Sequence, residues 1–138
     1  MPYVAAYICS AVTMLILDIG WLTFATPRLY KPIIGEIMAP KPSLAPAIAF
    51  YLIYVAGLIF LAVGPQLKTG SIGRAALSAA VFGFVAYATY DLTNQATLKV
   101  WSLKLSLADM AWGALVTAIA GAAGFWGARA VARLTGAG

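Results

Sequence analysis

The sequence has no histidine, a single cysteine and only four acidic residues among 138. Without histidine there is no imidazole general base, and most haem and zinc ligand sets are closed to the chain. Cys9 has no partner and lies inside an apolar block, so intramolecular disulfides are excluded and a buried, inert thiol is expected. No glycine-rich phosphate loop occurs, and no Ser or Cys has an evident base beside it to make it a nucleophile. Charge of either sign is scarce, at 9% of residues against roughly 25% in an ordinary soluble domain.

What is abundant is apolar side chain, 63% of the total. It falls into blocks of the length needed to cross a hydrocarbon core of roughly 30 Å. The expected fold class is therefore all-α: a polytopic membrane protein, a four-transmembrane-helix bundle forming a single domain over residues 1–138, with spans at about 3–25, 45–63, 75–95 and 107–128. The seven prolines all fall at or outside these boundaries, where helices tolerate them, and Pro27 is expected to stop the first span. The first block has no preceding Lys or Arg, runs too long for a signal peptide and contains Asp18, so it is expected to be a retained helix. Between Thr26 and Leu44, four prolines alternate with apolar and charged residues, which suits a surface-hugging loop or short interfacial helix.

The net charge of +5 comes from basic residues placed singly between apolar blocks, which reads as interfacial anchoring and excludes a nucleic-acid stripe. The partner is the lipid bilayer. Four short spans enclose little space, so a homo-oligomer or a larger membrane complex is also expected. Small residues at Gly113, Thr117 and Gly121, and at Ala75, Ala79 and Gly83, provide faces for close helix contact. Basic residues are nearly balanced between the two sides: Lys68, Arg74, Arg129 and Arg133 against Arg28, Lys31, Lys41, Lys99 and Lys104. Both termini are placed in the cytoplasm, because the loop holding Arg28, Lys31 and Lys41 is expected to bury itself in part; a dimer of both orientations is the alternative.

Chemistry is sought where burial is costly. Asp18, Asp91 and Asp109 fall within or near spans and, since alternate spans run in opposite directions, at similar depth near one membrane face. Residues three apart share a helix face, which joins Asp18 to Trp21, Asp91 to Asn94 and Asp109 to Trp112. The third span adds Tyr87, Tyr90 and Thr93, with Tyr51 and Tyr54 of the second span entering at the same depth. Carboxylates crowded in a poorly solvated site either hold protons or grip a cation, so such a cluster suits proton carriage, binding of a cationic substrate, holding of a hard metal ion such as Mg²⁺, or acid–base catalysis. Structural readings stand beside these. Ser106 and Asp109 fit a capping box at the start of the fourth helix, and Asp18 fits a polar staple between helices. Asp91, near a helix C-terminus, opposes the macrodipole and gains nothing as a cap. All four tryptophans suit interface anchoring, and Trp21 with Trp112 would also suit an aromatic cage. No metal-ligand set is discerned, and the sequence names no cofactor.

The segments LDIGWL (Leu17–Leu22), YATYDLTNQATLKVW (Tyr87–Trp101) and DMAWG (Asp109–Gly113) resemble those of a bacterial family of predicted membrane proteins, domain of unknown function 2177. The resemblance spans essentially the whole chain, and it implies four spans in a bacterial inner membrane. It brings no activity with it. The expectation is a small-molecule or ion-handling protein built around Asp91 and Asp18, with two alternatives: a lipid-modifying enzyme whose pocket opens sideways to the bilayer, or an accessory subunit of a larger complex.

Overall fold

The computed structural model describes residues 1–136, and every regular element among them is helical. Helix α1 (Pro2–Ala25) passes through a π turn (Thr26–Tyr30) into the short α2 (Lys31–Ile34) and a 3₁₀ turn (Gly35–Ile37). Helix α3 (Leu44–Leu58) likewise runs through a π turn (Ile59–Val63) into a 3₁₀ turn (Gly64–Gln66). Helices α4 (Ile72–Thr97) and α5 (Leu103–Leu134) are uninterrupted. Four helical rods, Pro2–Ile37, Leu44–Gln66, Ile72–Thr97 and Leu103–Leu134, are long and apolar enough to cross a membrane. The fold is an all-α bundle of four membrane-spanning helices.

The rods outrun the expected spans because hydropathy marks only the hydrocarbon-embedded part, while the hydrogen-bond ladder continues into the headgroup zone. The outer surface is as apolar as the interior: Ile16, Ile53 and Phe60 are 63%, 73% and 79% exposed. Such a surface is stable only against lipid, where each helix satisfies its own backbone groups.

Helix α5 is the central post, packing against both α4 and α1. Small residues bring the backbones together. A Cβ at Gly83 would meet the Gly113 carbonyl and Thr117, and one at Gly121 would meet Ala79. Toward α1, Gly124 lies against Ser10 and Gly127 against Cys9. The Ser10 hydroxyl crosses to the Ala120 carbonyl at 2.8 Å, tying α1 to α5 at a fully buried position. The small-residue faces expected on α4 and α5 do meet, and α5 carries a second such face for α1.

Pro27 does not end the first helix. Proline lacks an N–H and its ring crowds the carbonyl one turn back. The chain absorbs both defects by widening to a π turn, whose closing bond runs from the Lys31 N–H to the Thr26 carbonyl. The helix therefore continues for another three turns, and the connection is confined to residues 38–43. Leu29 and Ile34 of this extension pack on Trp101 and Leu105, which fixes the extension against the start of α5.

The start of α5 also differs from expectation. Ser102 is the cap, its hydroxyl accepting from the Leu105 N–H at 3.3 Å. Ser106 and Asp109 lie inside the helix and are buried, so neither caps it.

Candidate functional site

The three buried carboxylates lie at the end of the bundle formed by the C-terminal parts of α1 and α4 and the N-terminal parts of α3 and α5. Asp109 neighbours Asp18 on one side and Asp91 on the other. All three are less than a tenth exposed, Asp91 completely buried.

Two D-x-x-W turns, Asp18 with Trp21 on α1 and Asp109 with Trp112 on α5, hold the site together by exchanging partners. The Trp112 indole N–H donates to Asp18 Oδ1 at 2.9 Å, and the Tyr51 hydroxyl donates to Asp18 Oδ2. The Trp21 indole donates to the Tyr30 hydroxyl at 2.9 Å, and that hydroxyl donates to Asp109 Oδ1. The two indoles stack on each other with centroids 4.8 Å apart and planes 7° from parallel. Their adjoining faces are spent on this stack, which leaves no room for a cation between them, and the rings aim two N–H groups at the acid network.

Asp91 is built differently. Neither of its carboxylate oxygens receives a hydroxyl, indole or amide donor, and the buried Oε1 of Gln95, one turn on, also lacks a partner. Its close neighbour is the Asp109 carboxyl, within hydrogen-bonding reach. Two carboxyl groups bond only when one carries a proton. Below this pair, the Ser106 hydroxyl donates to the Asp91 carbonyl at 3.3 Å and accepts from the Trp101 indole at 3.0 Å, locking the α4–α5 connection.

The network opens on a cavity of about 540 Å³. Its walls are Leu22, Thr26, Tyr30 and Ile34 of the first rod, Met38 just after it, Phe50 and Tyr54 of α3, Ala86, Tyr87 and Tyr90 of α4, and Asp109 of α5. The cavity exists because α4 meets the second rod chiefly at the π turn Ile59–Val63, leaving the N-terminal half of α3 apart. Tyr54 fixes its floor by pairing with the Thr117 hydroxyl at 2.7 Å, and Tyr87 lies flat over Gly113. Tyr90, 54% exposed, stands at the edge against Trp101.

Of the residues singled out from sequence, Asp18, Asp109, Trp21 and Trp112 meet in one hydrogen-bonded and stacked region, Asp91 lies beside Asp109 without a hydroxyl, indole or amide partner, and Tyr87 and Tyr90 line the adjoining cavity. Thr93 does not join them: it is exposed and its hydroxyl returns to its own helix, at the Thr89 and Tyr90 carbonyls. Asn94 contributes its carbonyl to the end of α4, accepting from the Leu98 N–H at 2.8 Å. Tyr30 is missed from sequence, because reading Pro27 as a helix stop places it in a surface-hugging loop or short interfacial helix outside the spans. Its only sequence signal is an aromatic residue within a proline-flanked amphipathic segment. Among the described residues no three His, Cys, Asp or Glu side chains converge as a metal site.

Fold and site define an integral membrane protein of four spans with a cavity lined by tyrosines and the Asp109 carboxylate at one end of the bundle. The sequence profile described as Predicted membrane protein (DUF2177) matches residues 3–126, and the chain belongs to that family. No curated protein and no solved structure matches the chain.

Proposed function

We propose that the protein, set in a bacterial inner membrane, binds a small amphiphilic molecule drawn from the bilayer. Its donor-bearing or cationic head lies at Asp109 and Tyr30, and its apolar part lies among Leu22, Ile34, Met38 and Phe50. The observation that carries this reading is the cavity itself: about 540 Å³, walled by apolar and aromatic side chains, with one carboxylate and several hydroxyls placed to orient a ligand. Movement straight through the bundle is not part of this reading. Met14, Leu58, Val116 and Thr117 are fully buried between this end and the other, and small-residue packing closes α1, α4 and α5 around them.

The test is mass spectrometry of small molecules and lipids that co-purify with wild type, Asp109→Asn and Tyr30→Phe. A species enriched with wild type and lost from Asp109→Asn, in protein of unchanged melting temperature, is the expected result. Identical profiles for all three proteins would sink the proposal.

A second reading rests on the Asp91–Asp109 pair. A carboxyl pair of which Asp109 lines the cavity has the chemistry of a general acid and base acting on the bound amphiphile. Lipid extracts of strains expressing wild type, Asp91→Asn or no protein discriminate it: a lipid species present only with wild type supports catalysis, and identical extracts leave binding alone.

A further inference from the structure

The opposite end of the bundle, formed by the start of α1, the connection after Gln66 and the end of α5, carries a second cavity of about 520 Å³. Lys68, Arg129 and Arg133 line it together with Tyr3. Charge is segregated between the two ends: the acidic residues Asp18, Glu36, Asp91 and Asp109 all belong to the other one. No acidic side chain is therefore available to neutralise this cluster. Arg129 is held in place, with Nη1 donating to the Leu67 carbonyl at 3.1 Å and the guanidinium 5.5 Å from the centre of the Phe125 ring. A guanidinium offers five N–H donors, so most of its donor capacity stays free for an anion.

A second feature points to what that anion is attached to. A groove of about 400 Å³, almost wholly apolar, runs along the seam of α1 and α3 past Tyr3, Tyr7, Ala56 and Phe60. Tyr3 lines both the groove and the basic cavity, so the two meet at that ring.

We propose that this end of the protein holds an anionic phospholipid, its phosphate between Arg129, Arg133 and Lys68 and one acyl chain in the groove. Arginine matches phosphate oxygens with paired N–H groups, and each basic side chain near a membrane surface is worth about a fivefold gain for an anionic lipid. Inorganic phosphate shares the headgroup chemistry but has nothing to place in the groove.

Delipidated full-length protein in neutral detergent is titrated with phosphatidylglycerol, phosphatidylcholine or inorganic phosphate, and bound lipid and melting temperature are followed. Expected are preferential binding of and stabilisation by phosphatidylglycerol, a loss of about fivefold in its affinity for each of Lys68→Gln and Arg133→Gln, and no change for Lys104→Gln at the other end. Both of the first two side chains are exposed, so their substitution leaves the packing intact even if Arg129→Gln impairs folding. Ala56→Trp, which fills the groove, is expected to weaken the lipid alone. The proposal is overturned by equal binding of the two lipids, by an equal loss in Lys104→Gln, or by stabilisation from inorganic phosphate that phosphatidylglycerol does not exceed.

Discussion

Asp18 and Asp91 are both buried carboxylates late in their helices, yet their surroundings are opposite. Asp18 accepts from an indole and a phenol on two other helices, so it joins α1 to α3 and α5. Asp91 receives no donor from any hydroxyl, indole or amide and faces the Asp109 carboxyl. Removing an acceptor strands its donors, whereas an amide in place of Asp91 brings its own donor to Asp109 at unchanged volume. Asp18→Ala is therefore expected to destabilise the protein by about 1–3 kcal/mol, with the Tyr51 hydroxyl and Trp112 indole left unpaired. Asp91→Asn is expected to match or exceed wild-type stability. Thermal unfolding in one detergent decides between them, and a comparable drop for both would show that Asp91 is held by interactions other than those described.

Two device types shape the elements: glycine contacts that draw helices together, and proline-linked π turns that redirect them. Gly113 illustrates the first, because a Cβ there would fall into the Tyr87 ring. Gly20, on the lipid side of α1, has nothing within 4 Å of the same position. Gly113→Ala is expected to cost about 1–3 kcal/mol by overpacking and to push Tyr87 into the cavity, lowering ligand retention as well. Gly20→Ala is expected to be neutral or slightly stabilising, as alanine is the better helix former. Equal melting temperatures for the two variants would refute the close α4–α5 contact. The glycines and alanines of that contact were legible in the sequence because their four-residue spacing survives directly as one helix face. The aspartates and the D-x-x-W turns were legible too, since few charges are allowed at such depth. Partner choice was not: the turns exchange partners between α1 and α5, which depends on how the helices cross. The second device hid Tyr30 altogether. A proline reads as a stop, and only the bundle shows that Pro27 is absorbed by a wider turn whose continuation is anchored on Trp101 and Leu105.

The whole molecule is polar in its charge: one end holds Lys68, Arg74, Arg129 and Arg133 with no acidic side chain, while the other sets five basic residues, Arg28, Lys31, Lys41, Lys99 and Lys104, against four acidic ones. Counting basic residues alone leaves orientation nearly balanced, but the bundle changes their weights. Arg28 is not in a free loop; it folds back on its own helix, bonded to the Phe24 carbonyl at 2.9 Å and lying 4.4 Å from the Phe24 ring centre. Loop residues near the span ends decide insertion, and the cytoplasmic leaflet, rich in anionic lipid, favours an uncompensated basic surface. Both termini and the connection after Gln66 are therefore expected in the cytoplasm, with the candidate cavity toward the opposite face. Single cysteines placed by Thr69→Cys and Lys41→Cys in a Cys9→Ser background report this directly in intact cells. A membrane-impermeant maleimide should label the Lys41→Cys protein and reach the Thr69→Cys protein only after the membrane is opened. The reverse pattern would invert the molecule, putting the basic end outside and removing the anionic leaflet as the source of its lipid. Labelling of both in intact cells would instead establish insertion in two orientations, and the antiparallel dimer would become the arrangement to isolate.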